Sequence, residues 1–227
     1  MRRADMGSLI VLEGIDGSGK STQAELLCDR LGREGRDFMR VSFPAYNEPS
    51  SALVRMYLDG QFGAAPSAVN PYAASAFFAV DRFASYRRLW GDFYNGGGAV
   101  ITDRYTTSNA IHQGAKLDSG RRVGFFGWLR EFEFELMELP APDLVLYMDI
   151  PAQLAARRRR GRAEATGAPP DIHERDLSYL EECRVCGLEA AEYYGWRKIQ
   201  CAAGRRPRGA DDIHGEIWSI IEGSAVI

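Results

Sequence analysis

The sequence predicts an α/β fold in which a five-stranded parallel sheet is covered by helices on both faces. Three observations lead there. Short apolar runs recur along the chain, and a stretch with helical periodicity separates each from the next. The first run ends in glycines and passes directly into a helix, a strand-loop-helix unit. With 227 residues, 45% hydrophobic and 26% charged, the chain can bury one substantial core and has the composition of an ordinary globular domain.

Taken in order, Ser8-Leu9-Ile10-Val11-Leu12-Glu13 reads as a buried strand feeding a glycine loop. In the helix that follows, Ala24, Leu27, Cys28 and Leu31 repeat at i, i+3, i+4 and i+7, and Gly32 and Gly35 mark its end. Further strands are expected at Phe38 to Phe43, Ala99 to Thr102, Leu144 to Met148 and Arg197 to Cys201. The intervening helices fall near 50–60, 71–94, 108–116, 121–138, 151–160, 174–194 and 211–222. Gly96-Gly97-Gly98 is a turn before a strand, and the Gly/Pro/Arg-rich stretches 161–172 and 203–210 read as surface loops. Strands that alternate with helices imply parallel pairing, since each return crosses a face of the sheet.

Composition narrows the function. A formal net charge of −3 argues against binding a nucleic-acid polymer through the overall field, although Arg157 to Arg162 form a local basic cluster. No apolar run reaches the roughly 18 residues that span a bilayer, and Met1-Arg2-Arg3-Ala4-Asp5 lacks an apolar signal core. A cytoplasmic protein without a membrane partner is expected. Cys28, Cys183, Cys186 and Cys201 are too few and scattered for a disulfide scaffold. Cys183 and Cys186 have no second pair at zinc-ligand spacing and read as small apolar residues of a helix.

The chemistry starts at Gly14-Ile15-Asp16-Gly17-Ser18-Gly19-Lys20-Ser21, which fits the G-x-x-x-x-G-K-[ST] phosphate loop between a strand and a helix. Its glycines let backbone N–H groups turn inward around phosphates. Lys20 reaches the β and γ oxygens, and the Ser21 hydroxyl can ligate Mg²⁺. Asp103-Arg104-Tyr105 follows the strand Ala99 to Thr102, at the sheet end where ligands of open α/β folds collect. There Asp103 can hold Mg²⁺ through water or orient an acceptor phosphate, while Arg104 can fork onto that phosphate. Phe78 and Arg82 lie four apart on a helix and suit a nucleobase, one stacking on the ring and the other reaching an exocyclic oxygen; taken alone, the same pair reads as a core aromatic beside a solvated Arg.

From near Ser8 to the C-terminal helix the sequence resembles the thymidylate kinase family. The matching elements are Glu13-Gly14-Ile15-Asp16-Gly17-Ser18-Gly19-Lys20-Ser21-Thr22, Phe43-Pro44, Phe78-Ala79-Val80-Asp81-Arg82, Asp103-Arg104-Tyr105 with Ser108-Asn109, and Leu139-Pro140-Ala141-Pro142-Asp143. The resemblance implies a three-layer P-loop kinase fold with a five-stranded parallel sheet and a flexible lid. Residues 1–7 would be a disordered N-terminus and 8–227 a single kinase domain with its lid at 157–172. It implies that Gly14, Gly17, Ser18, Gly19, Lys20, Ser21 and Thr22 bind ATP, and that Ser21, Asp103 and Asp16 stand at the metal. Phe78 would stack on thymine, Arg82 and Asn109 would bond its edge, and Phe43 would pack along the base pocket. Arg104 and Tyr46 would hold the monophosphate, with Asp16 between the acceptor and the metal. Arg158, Arg160 and Arg162 would belong to the lid, with Asp171 and Glu174 near its far hinge.

Two positions depart from the commonest family pattern, and a third separates its branches. Tyr46 stands where many members carry an arginine, and His112 where an aromatic ring usually crowds the sugar 2′ position. Gly17 stands where one branch of the family places an arginine, so the catalytic charge is expected from the lid. Arg158 and Arg162, four apart, are the expected pair, and an arginine placed at 17 would restore part of what their loss removes. The expected reaction is dTMP + ATP giving dTDP + ADP, with Lys20, Asp16, Asp103, Arg104, Arg158 and Arg162 catalytic. A related kinase for another nucleoside monophosphate or a deoxynucleoside is the alternative within the enzymes. A nucleotide-binding switch is the alternative outside them, and the chain lacks the Asn-Lys-x-Asp string of guanine-specific switches. The apolar faces of 71–94 and 121–138 can supply a homodimer contact.

Overall fold

β1 (Ser8–Glu13) carries apolar residues on both of its faces. Successive side chains of a strand point to opposite sides. Ile10 and Leu12 pack with Leu27, Leu31, Ile213, Ile217 and Ile221, whereas Leu9 and Val11 pack with Trp90, Tyr94 and Tyr105. Helices therefore cover both faces, and β1 lies at the centre. The computed structural model of the chain describes residues 6–166, 177–224 and 226, with backbone alone over 162–166.

The remaining strands of the sheet are β2 (Phe38–Ser42), β3 (Ala99–Asp103), β4 (Leu144–Asp149) and β5 (Arg197–Gln200). Their order is β2-β3-β1-β4-β5, and every pair is parallel. The five expected strands are the five observed, each end within one residue of its expected place. Burial is complete along β4 but not on the edge strands, where β5 buries only Ile199. The register sets Leu12 beside Asp103 and Glu13 beside Tyr147, so the carboxyl ends of the three central strands meet at one crevice.

The helices are α1 (Lys20–Arg33), α2 (Ala52–Leu58), α3 (Pro71–Ser85), α4 (Gly91–Asn95), α5 (Thr106–His112), α6 (Ser119–Arg130), α7 (Ala152–Thr166), α8 (Leu177–Tyr194) and α9 (Ala210–Ser224). Two expected helices are interrupted. A π turn at Tyr86–Trp90 joins α3 to α4, and a second at Glu131–Leu136 prolongs α6. Each widened turn shifts the face that follows it, and the second one carries Glu133 into the interior. α5 begins earlier than expected and ends before a 3₁₀ turn at Gly114–Lys116. The expected loop at 161–172 is helical through Thr166, and 167–172 lie outside the described residues. The expected loop at 203–210 contains all but the first residue of a small hairpin, β6 (Ala202–Ala203) with β7 (Arg206–Pro207). Most of the expected disordered N-terminus, 1–5, also lies outside the description, while the Gly7 N–H donates to the Tyr94 carbonyl at 2.7 Å. Cys183 and Cys186 are buried on α8 against α5, and the Cys186 thiol donates to the Ala110 carbonyl at 3.3 Å.

Candidate active site

The loop between β1 and α1 curls around the amine of Lys20, which donates to the carbonyls of Gly14 at 2.7 Å and Ile15 at 3.0 Å. Burial, and next the Arg104 guanidinium, lower the amine from 10.5 to about 8, against the pull of Asp16, Glu13 and Asp103. Gly19, with φ 100°, caps α1 in a left-handed conformation that a side chain would strain. The N-terminus of a 14-residue helix thus points its free N–H groups into the loop, an arrangement suited to phosphate.

Asp103 ends β3 with its Oδ1 buried and without a hydrogen-bond partner. Arg104 follows at φ 106°, a conformation that costs a non-glycine residue about 1–3 kcal/mol. That turn aims the guanidinium back across the crevice. Its Nη2 donates to Asp16 Oδ1 of the phosphate loop, and its Nη1 lies 3.3 Å from both Ser108 Oγ and His112 Nε2.

Arg104 also borders a pocket that gathers every residue expected at the acceptor: Asp16, Phe43, Tyr46, Phe78, Arg82, Arg104, Asn109 and His112, together with Leu58, Ser108 and Gln113. Phe43 lies at the core end, against Tyr105, whereas Tyr46 sits at the rim, 53% exposed. One expectation is corrected. Arg82 is not solvated, as the pair taken alone would read, but buried, with Nε and Nη2 donating to the two oxygens of Glu133, each at 2.7 Å, in a site that is dry on both sides. Only Nη1 remains, with a long 3.4 Å bond to the Tyr105 carbonyl. The Asn109 amide nitrogen is likewise engaged, by Ser75 O at 3.1 Å and Glu133 at 3.0 Å, which leaves its carbonyl oxygen as the acceptor atom.

On the other side of the loop, Gly17, Ser18, Gly19 and Thr22 form a cavity of about 270 Å³ with Gln23, Met148, Arg158, Ala210 and Ile213. Arg158 spans it, donating to the carbonyls of Ser18 at 3.4 Å and Arg208 at 3.3 Å. The side chain of Arg162, and all of Asp171 and Glu174, lie outside the described residues. Gly17 brings a second correction. A Cβ there would stand 2.2 Å from the Ala155 carbonyl, at φ 89°, so an arginine at 17 cannot coexist with α7 in this position.

Three carboxylates that shape the site were not singled out from the sequence. Glu13 accepts from Gly14 N at 2.9 Å, Thr107 Oγ1 at 2.6 Å and Ser108 Oγ at 2.7 Å, tying the phosphate loop to α5. Asp81 accepts from Ala45 N and Ser50 Oγ and so anchors the segment after Phe43. Glu133 holds Arg82 and Asn109. A charged residue closing an apolar strand was a signal for Glu13, but nothing in Glu131-Phe132-Glu133-Phe134-Glu135 marks which glutamate faces in.

The sequence profile of the thymidylate kinase family matches residues 12–207. The thymidylate kinase of Mycobacterium tuberculosis, from two strains, is 33% identical over 198 residues, covering 86% of this chain and 91% of that protein. A probable thymidylate kinase of Thermococcus onnurineus is 29% identical over 220 residues, covering 94% and 96%. Among solved structures, a thymidylate kinase of Candida albicans superposes with a TM-score of 0.71 at 23% identity, over 97% of this chain and 93% of that one, a likeness of fold. With the phosphate loop, the acceptor-side pocket and the match over most of the chain together, this chain belongs to the thymidylate kinase family.

Proposed function

We propose that the protein transfers the γ-phosphoryl group of ATP to dTMP, giving dTDP and ADP. One observation carries the reading: Arg104 and Asp16 join an aromatic slot with a donor and an acceptor at its inner end to a phosphate loop that holds a buried lysine. Thymine presents an exocyclic oxygen beside a ring N–H. The Nη1 of Arg82, held only by its long bond to the Tyr105 carbonyl, and the Asn109 carbonyl complement that pair, and Phe78 supplies the stacking face. Adenine and cytosine present an amine where Arg82 would donate, so a buried mismatch would select against them.

In this reading Arg104 and Tyr46 hold the acceptor phosphate, and Asp16 fixes Arg104. Lys20 moves its proton-bearing amine from loop carbonyls to the phosphates as charge develops on the transferred group. Arg158 closes the donor side, with Arg162 of the same helix as its companion. Mg²⁺ suits the residues present. The Asp103 Oδ1, buried without a hydrogen-bond partner among the described residues, and the Ser21 hydroxyl are hard oxygens of the kind that suits it. Bound there with phosphates, the ion would neutralise charge on the transferred group. His112 lines the same pocket with its Nε2 beside Arg104; in this reading it faces the sugar and discriminates against ribose less than a larger ring would.

We read residues 8–227 as one kinase domain with a lid over 157–172, supported by the one five-stranded sheet whose strands run from β1 to β5 across the chain. Among the described residues no helix is long and apolar enough to cross a membrane. A homodimer is supported by Val80 and Phe83, which leave α3 apolar and 50% and 40% exposed. Phe83→Glu should convert a dimer to a monomer by light scattering, and a monomeric parent protein would end that part of the reading. The decisive assay is coupled ADP release over all ribo- and deoxyribonucleoside monophosphates. dTMP should be the best substrate, and another monophosphate used more efficiently would overturn the assignment.

A further inference from the structure

The chain uses arginine almost everywhere, and Lys20, Lys116 and Lys198 are its only lysines among 28 basic residues. Lys20 belongs to the phosphate loop and Lys198 is exposed on β5. Lys116 is neither. It ends the 3₁₀ turn after α5, and its amine donates to Tyr57 Oη at 2.9 Å on α2 and to the Val69 carbonyl at 3.2 Å in the segment before α3. The amine also lies 5.0 Å from the centre of the Tyr57 ring. Three chain segments thus meet on one nitrogen. Tyr57 is 1% exposed, and its ring meets Phe78 edge to face, with centroids 6.1 Å apart and planes at 89°. Phe78 and Leu58, the residue after Tyr57, line the acceptor pocket.

Chemistry explains why arginine does not replace this lysine. A guanidinium stays charged and would have to be desolvated as an ion, while an amine can shed its proton and keep two donors. Burial lowers Lys116 from 10.5 to about 7, so the neutral form is accessible at ordinary pH.

We propose that Lys116 is a positioning residue for the acceptor base: by tying the Tyr57 hydroxyl to the Val69 carbonyl it fixes the wall on which Phe78 rests, and so governs acceptor affinity rather than the rate of transfer. The inference rests on the acceptor reading of the pocket that Phe78 lines. It differs from a general structural role in touching one substrate only.

The test compares Lys116→Met, Tyr57→Phe, the double variant, Lys116→Arg and Phe78→Ala by steady-state kinetics in both substrates. Lys116→Met and Tyr57→Phe should each raise the dTMP KM about tenfold, with kcat and the ATP KM within about twofold. The double variant should be no worse than the more severe single one, because both remove the same bond. Lys116→Arg should stay defective. Tyr57→Phe deletes one oxygen and keeps the ring, so it reports even where Lys116→Met folds poorly. A dTMP KM that does not change in Lys116→Met and Tyr57→Phe, or effects that multiply in the double variant, overturns the role of Lys116. Phe78→Ala separates that failure from failure of the pocket reading. A raised dTMP KM in Phe78→Ala alone leaves the pocket in place without Lys116, and no change in any variant rejects both.

Discussion

Glu133 collects four donors in a dry site: both arms of the Arg82 fork, the Asn109 amide and the Thr106 hydroxyl. A buried ion pair adds little net stability, yet removing one partner costs about 3–5 kcal/mol because the other is left charged and alone. Arg82→Ala is therefore expected to lose stability of that order in a urea melt, beyond any loss of base contact. Arg82→Met with Glu133→Leu should lose less than Arg82→Ala alone while still raising the dTMP KM at least about tenfold, since Nη1 is gone in both. A double variant less stable than the single one would mean that the pair is not what holds α3 to the π turn. Lys20 carries a different prediction. Its amine is lowered to about 8, and a bound phosphate favours the charged form, so ATP binding should take up a proton near pH 8.5 and almost none near pH 6.5. Calorimetry in buffers of different ionisation enthalpy measures that uptake, and Lys20→Met should abolish it.

At the level of elements, α7 and the phosphate loop touch backbone to backbone through Gly17. The sequence alone suggested that Gly17 merely lacks a cation. The structure gives the glycine a steric reason, since any side chain would push the Ala155 carbonyl away and take Arg158 from Ser18 with it. Gly17→Arg is accordingly expected to lower kcat at least about tenfold and not to rescue Arg158→Met. Recovery of activity in Arg158→Met with Gly17→Arg would show that α7 yields at no cost. This contact was not legible because it depends on where a helix more than 130 residues away lands. The phosphate loop was legible because its glycines, lysine and serine all act within one turn of chain. The π turns were not, because Tyr86–Trp90 and Glu131–Leu136 keep ordinary helical composition and only the packing of Trp90 and Glu133 shows the shifted face.

Across the whole molecule, the five strands and their parallel pairing were within reach of the sequence, whereas the long-range pairs were not: Arg82 and Glu133 are 51 residues apart, and Arg122 reaches Glu182 and Glu189 on α8. Local pattern marks which residues face inward, but not which partner neutralises a buried charge. The consequence is visible in how stability should respond to pH. Lys20 and Lys116 are lowered to about 8 and about 7, so between about pH 7 and the ordinary 10.5 the folded chain binds fewer protons than the unfolded chain. Stability therefore rises with pH through that window, because the unfolded state holds the extra protons. The buried thiols act in the opposite sense. Burial raises Cys186 and Cys201 from 9.0 to about 12 and raises Cys183 as well, so above about pH 9 the folded chain keeps protons that the unfolded chain releases. Buried Tyr105 and Tyr179, also raised, extend the same trend upward from pH 10. Three thiols then outweigh two lysines, and the urea midpoint is expected to climb from pH 7, turn over near pH 9 and fall beyond it. Lys116→Met should flatten the climb and leave the fall. A climb of unchanged steepness in that variant would mean that Lys116 stays protonated in the folded protein, solvated well enough to keep its ordinary affinity for a proton.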